Sequence, residues 1–163
     1  MKYITSIIAS SLISASLLTF ATNSASANKT EQKELASVKQ NFLKSFSKAW
    51  STQNTDKILS FYAEAFYFED IPFKLKANNK YELKEVLTNT FAMVPDFKME
   101  VEYSEVQKNS IFMIWIQSGT ATNSSLGIDG KNYKVRTSTT LKLNDEGKIV
   151  KQYDNWDTSV LSN

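Results

Sequence analysis

Leu35, Val38, Phe42, Phe46 and Ala49 follow one another at gaps of three or four positions, with Lys and Gln on the opposite side. That is the period of a helix with one apolar face. Thr30 ahead of Glu31 and Glu34 supplies a start signal, so the spacing predicts a helix from Thr30 to about Trp50. The polar run Ser51–Thr55 interrupts it. Asp56 to about Ala65 reads as a second helix on Ile58, Leu59, Phe61 and Tyr62. From Ala65 to Phe73 the character changes: Phe66, Tyr67 and Phe68 lead into Glu69, Asp70 and Pro72, which reads as a short strand ending at a turn. A third helix is predicted over Lys80–Met93 from Leu83, Val86, Leu87 and Phe91, stopped by Pro95 and Asp96.

Beyond Pro95 the period drops to two. Phe97, Met99, Val101 and Tyr103 alternate with Lys98, Glu100, Glu102 and Ser104, predicting a strand over Phe97–Gln107 with one buried face. Ser110–Thr122 is a strand apolar on both sides through Ile111–Ile116. Asn123–Lys131 reads as a turn region. Asn132–Leu143 is a strand with Tyr133, Val135, Thr137, Thr139, Leu141 and Leu143 on one side. Asn144–Gly147 is a hairpin turn, and Lys148–Thr158 is the last strand. Helices first and paired strands afterwards argue an α+β domain with helices on one face of an antiparallel sheet.

The N-terminus changes the picture of where the chain works. Lys2, an apolar stretch from Ile4 to about Ala21 and the small-x-small pair Ala25 and Ala27 have the layout of a signal peptide. Cleavage is expected after Ala27, giving segments 1–27 (signal peptide) and 28–163 (one domain), and a secreted or periplasmic protein with no stable membrane anchor after cleavage. Ser and Thr within the apolar stretch, and the lack of a charged stop directly after it, argue against a membrane span.

Composition then narrows the chemistry. The 163-residue chain contains no Cys and no His. Disulfides, thiolate nucleophiles, His-based triads and His-ligated metals are therefore excluded. Proton transfer near neutral pH falls to Asp, Glu, Lys or Tyr with a shifted pKa. The formal net charge is only +2, with lysines scattered among acids, so no nucleic-acid partner is expected. No cofactor and no metal are called for.

Two segments carry a family resemblance. One is Phe66-Tyr67-Phe68-Glu69-Asp70-Ile71-Pro72, an aromatic-Glu-Asp-x-Pro turn; the other is Gly147-Lys148-Ile149-Val150 followed by Tyr153-Asp154-Asn155-Trp156-Asp157. In this order the chain from about Val38 to Val160 resembles the SnoaL-like domain of the nuclear transport factor 2-like superfamily. The resemblance implies a cone-like curved antiparallel sheet wrapped around the N-terminal helices, with a pocket open at one end. It spans cyclases, isomerases and pure binding domains, so it does not select a function.

By that resemblance Asp70 sits at the pocket mouth as a general-base carboxylate, beside Phe68, Ile71 and Phe73. A bracing role in the turn before Pro72 is the plainer alternative. Alternation puts Gln152, Asp154 and Trp156 on one side of the last strand; the resemblance turns that side to the pocket and makes Asp157 the closing acid. Tyr62, Phe68, Thr139 and Trp156 are candidate ligand contacts. Trp50, Phe66, Phe91 and Trp115 complete an aromatic set that is mostly core. In ketosteroid isomerases a Tyr on the first helix and a protonated acid on the penultimate strand hold the oxyanion; the matching positions here are Phe46 and Thr139, which argues against that activity. Three readings stay open: a domain binding a small hydrophobic molecule; a cyclase- or isomerase-type enzyme using Asp70 with Asp154 or Asp157; and an interaction module. The doubly apolar strand predicts a homodimer through the sheet, with Trp115 or its neighbours at the contact.

Overall fold

The computed structural model describes residues 37, 38, 40–122 and 130–161. The expected signal peptide, its cleavage site and the predicted helix start at Thr30 lie outside the described residues. Helix α1 covers 40–51 and buries Leu43, Phe46, Ala49 and Trp50; of the stripe read from the chain Phe46 and Ala49 are buried, Phe42 is partly buried and Val38 is exposed. It ends at Gln53, whose φ of 54° is left-handed. Helix α2, Thr55–Leu59, is capped by Asn54, whose side chain accepts the amide of Lys57 at 2.9 Å.

The predicted continuation of that helix to Ala65 is wrong. Tyr62–Asp70 is strand β1, with Tyr62, Phe66 and Phe68 buried. The aromatic run prefers a pleated surface, and a partner strand at the far end of the chain supplies its ladder. After a turn at 71–74, Leu75–Ala77 forms the short strand β2, which three residues of mixed character did not announce. Helix α3, Lys80–Met93, has the predicted bounds. Asn79 accepts the amide of Glu82 at 3.0 Å, while Glu82 reaches back to the amide of Asn78 at 2.7 Å, a reciprocal cap. Leu83 and Leu87 are fully buried.

Strands β3 (Lys98–Gln107), β4 (Ser110–Thr120), β5 (Asn132–Leu143) and β6 (Ile149–Trp156) complete one curved six-stranded sheet, in the order β2-β1-β6-β5-β4-β3. Every neighbouring pair is antiparallel except β1 with β6, which is parallel and corrects the all-antiparallel expectation. In β3 a register shift between Val101 and Tyr103 turns Tyr103 outward, opposite Ile114 and half exposed. The period-two reading of that strand therefore holds only up to the irregularity.

β4 is apolar on both faces for two reasons. Ile111, Met113 and Trp115 belong to the core, while Phe112, Ile114 and Ile116 occupy the outer face. Trp115 thus points inward, away from the outer face on which a contact was expected of it or its neighbours. The aromatic core runs from α1 to the sheet: Trp50 lies 6.0 Å from Phe97, and Phe97 lies 6.3 Å from Trp115, ring centre to ring centre.

Candidate functional site: a hollow with two carboxyl groups

Beside this core the described residues enclose a hollow of two adjoining chambers. The outer chamber, about 80 Å³, is walled by Phe73, Met93, Val94, Tyr133 and others. The inner, about 50 Å³, is walled by Trp50, Phe68, Trp115, Thr137 and Asp154 among others. Asp70, Leu75, Thr90, Phe97, Gln117 and Trp156 border both. No Lys or Arg is among the lining residues of either chamber.

The parallel β1–β6 pair brings the two acids together. Asp70 and Asp154 are register partners on adjacent strands, and the backbone amide of Ile71 donates to the Asp154 carbonyl at 2.9 Å. Asp70 ends β1 and does two jobs. Its Oδ1 accepts the amide of Phe73 at 3.1 Å, bracing the turn, while its Oδ2 accepts the indole N–H of Trp156 at 3.1 Å. The bracing and pocket-facing readings of this residue are compatible. Partial burial raises its pKa, against the pull of the Trp156 and Phe73 hydrogen bonds.

Asp154 is buried at the end of a directed chain of donors. Trp115 Nε1 donates to Thr139 Oγ1 at 2.8 Å, which leaves the threonine proton for Asp154 Oδ1 at 2.6 Å. Tyr62 donates to Gln152 Oε1 at 2.6 Å, and Gln152 Nε2 in turn donates to Asp154 Oδ2 at 2.9 Å. An indole N–H and an amide NH2 can only donate and a carboxylate can only accept, so with Asp154 ionised both chains run one way. Burial nevertheless dominates: it lifts the Asp154 carboxyl to about 7, Thr139 and Gln152 oppose it, and the negative charge of Asp70 adds to it.

The other candidates take different places. Phe68 and Trp156 are walls, and Trp156 meets Phe73 edge-on at 5.0 Å. Tyr62 and Thr139 stand behind the wall and serve Gln152 and Asp154 through their hydroxyls. Asp157 is exposed and accepts the amide of Ser159 at 2.9 Å at the head of the last 3-10 turn, which holds its pKa low; it is not among the lining residues. Phe46 is core, against Phe42, Phe61 and Trp50. Among the described residues no group of three or more acids could hold a metal ion.

Reading by sequence missed Gln117, Thr137, Thr90 and Leu75 as wall residues, and placed Trp50 in an aromatic set read as mostly core. Thr137 was readable on the buried side of β5, but a Thr among Val and Leu carries no sign that its hydroxyl lacks a partner.

Comparison with known proteins agrees with this architecture. A family model described as SnoaL-like polyketide cyclase matches residues 40–162. A solved protein from Shewanella denitrificans, described as a SnoaL-like polyketide cyclase, superposes with a TM-score of 0.68 at 19% identity, covering 77% of this chain and 94% of that one. A ketosteroid isomerase-like protein from Catenulispora acidiphila, solved with trimethylamine, superposes at 0.66 with 13% identity, covering 73% and 87%. A nuclear transport factor 2-like protein from Exiguobacterium superposes at 0.59 with 16% identity, covering 71% and 97%. None of the curated proteins matches the sequence. At such identities the solved structures speak for the fold alone. The match over residues 40–162, with the helix-then-sheet order and the hollow between them, makes this chain a member of the SnoaL-like polyketide cyclase family.

Proposed function

We propose that the domain binds a small, largely apolar molecule in the two-chambered hollow. The observation that carries this is a cavity bordered by aromatic rings and by two acids, Asp154 buried and Asp70 half-buried, with no Lys or Arg among the lining residues. Its size sets the scale: cavities of about 150 Å³ take benzene, so a ligand of roughly one ring fits and a multi-ring polyketide does not. The trimethylamine held by the Catenulispora protein is a molecule of that scale.

A panel of single-ring compounds screened by thermal shift is the test. Leu75→Trp, on the half-exposed strand β2, plugs both chambers and should abolish every shift seen with the wild-type protein. Shifts that survive the plug would place binding elsewhere.

The Asp70–Asp154 pair favours a second reading, proton transfer at a carbon next to a carbonyl. In heavy water a bound ketone would exchange its α-protons faster with the wild-type protein than with Asp70→Asn. Equal rates would remove the catalytic reading and leave the binding one.

Export and self-association belong to the same proposal. Export rests on the segment from Lys2 to Ala27, and a secreted form beginning at Asn28 is its check. The outer sheet face, with Phe112 and Tyr103 exposed, offers a contact for a second copy; a monomeric sedimentation coefficient at high concentration would exclude it.

A further inference from the structure

The chain has three tryptophans. Two indole N–H groups are committed, Trp115 to Thr139 and Trp156 to Asp70. The third is not. Trp50 is 7% exposed, and its Nε1 has no hydrogen-bond partner among the described residues. Thr137, 1% exposed, shares this condition at its Oγ1. Both residues wall the inner chamber. Buried polar atoms are almost always paired, because leaving one unpaired forfeits its hydration for nothing. Two such orphans bordering one small space point to something that occupies it.

Donor chemistry narrows the occupant. An indole N–H cannot accept, so the group beside it must. A hydroxyl can do either and accommodates the same atom. An anion is disfavoured, since Asp70 and Asp154 border the same chamber and no Lys or Arg lines it. A simple ammonium satisfies the acids but leaves the indole without an acceptor.

We propose, resting on the small-molecule reading above, that the inner chamber holds the oxygen end of a small neutral ketone, aldehyde or alcohol, with Trp50 Nε1–H and Thr137 Oγ1–H donating to that oxygen. The position makes sense within the fold. Phe46 offers no donor, and Trp50 follows it one turn later on α1 with its ring 6.0 Å away. Thr137 precedes Thr139 by two residues and shares its face of β5. Since Thr139 gives its proton to Asp154, Thr137 is the hydroxyl left for a ligand. The acids then stand along the remainder of the molecule, where a carbon beside the oxygen would lie.

The test uses four probes of one shape at pH 7.5: cyclohexanone, methylenecyclohexane, cyclohexylammonium and cyclohexanecarboxylate. Nitrogen-15 spectra of the three indole N–H groups, with Trp50 assigned by its absence in Trp50→Phe, report binding and contact together. Cyclohexanone should bind about tenfold more tightly than methylenecyclohexane and should move the Trp50 resonance downfield, while the hydrocarbon should not. Thr137→Val keeps the shape of the wall and should remove part of that preference; Trp50→Phe should remove most of it. Equal affinity for ketone and hydrocarbon, or tightest binding of either ion, overturns the proposal while the small-molecule reading stands. Failure of all four probes to bind overturns both.

Discussion

Replacing Asp154 by Asn removes the one deeply buried carboxyl in the hollow with almost no change of shape, and its consequence can be sized. In the folded protein the Asp154 pKa is about 7, against 3.8 for an unperturbed aspartate. Between those values the native state keeps a proton that the unfolded chain has released. Stability from this group is therefore fully present below about pH 4 and is lost as pH rises toward 7. The whole window amounts to roughly 4 kcal/mol, and the part between pH 5 and pH 8 to about 2.5 kcal/mol. The chain suits the measurement, because without histidine no other side chain has its ordinary titration there. Glu69, Glu82, Asp96, Glu102 and Asp157 have lowered pKa values, so they are ionised in both states above pH 5.5 and add no slope. Urea unfolding at pH 5, 6, 7 and 8, with a constant m-value, should show the wild-type protein losing stability steadily. Asp154→Asn should flatten most of that slope, leaving the smaller contribution of Asp70. The new amide meets the Gln152 donor awkwardly, but that cost is independent of pH and shifts the whole line. Parallel slopes for the two proteins, or a wild-type slope of the opposite sign, would refute the burial argument.

Two further outcomes follow from other contacts. Trp156→Phe removes the donor to Asp70 Oδ2, a hydrogen bond to an ionised group, and should cost about 1.5–3 kcal/mol at pH 8 and less as acid titrates Asp70, whose pKa is raised; a loss that does not change with pH in denaturation would assign the effect to packing. Gly119→Ala would place a Cβ 2.3 Å from Val94 Cγ1 and 3.0 Å from Asp96 Oδ1, so it should cost about 1–3 kcal/mol, read as a lowered Tm; an unchanged Tm would mean that Val94 swings aside freely.

The bounds of α3 and β5 were legible because local signals and burial agree there: helical spacing and the stop at Pro95 and Asp96 frame the helix, and strict alternation frames the strand. Asp70, Asp154 and Trp156 were legible as a group through the two motifs. Tyr62 and Phe61 were misread because their spacing from Ile58 suits a helix equally well, and only β6, some ninety residues later, decides for a strand. The slip in β3 and the parallel sense of β1 with β6 are properties of pairing, which no single segment displays. Trp50 and Thr137 were hidden for another reason: an orphaned donor is defined by what surrounds it, and their neighbours come from distant parts of the chain.

The parallel pairing of β1 with β6 also has a consequence for how the protein is made. β1 emerges early in synthesis but finds its central neighbour only when residues 149–156 arrive, some eighty residues later. Until then β1 and β2 have no connection to the larger antiparallel section, and the loop to be closed spans most of the domain. A nascent chain halted before Ile149 has its first acid and lacks its second, so the hollow is assembled by β6, the last of the described strands to be translated.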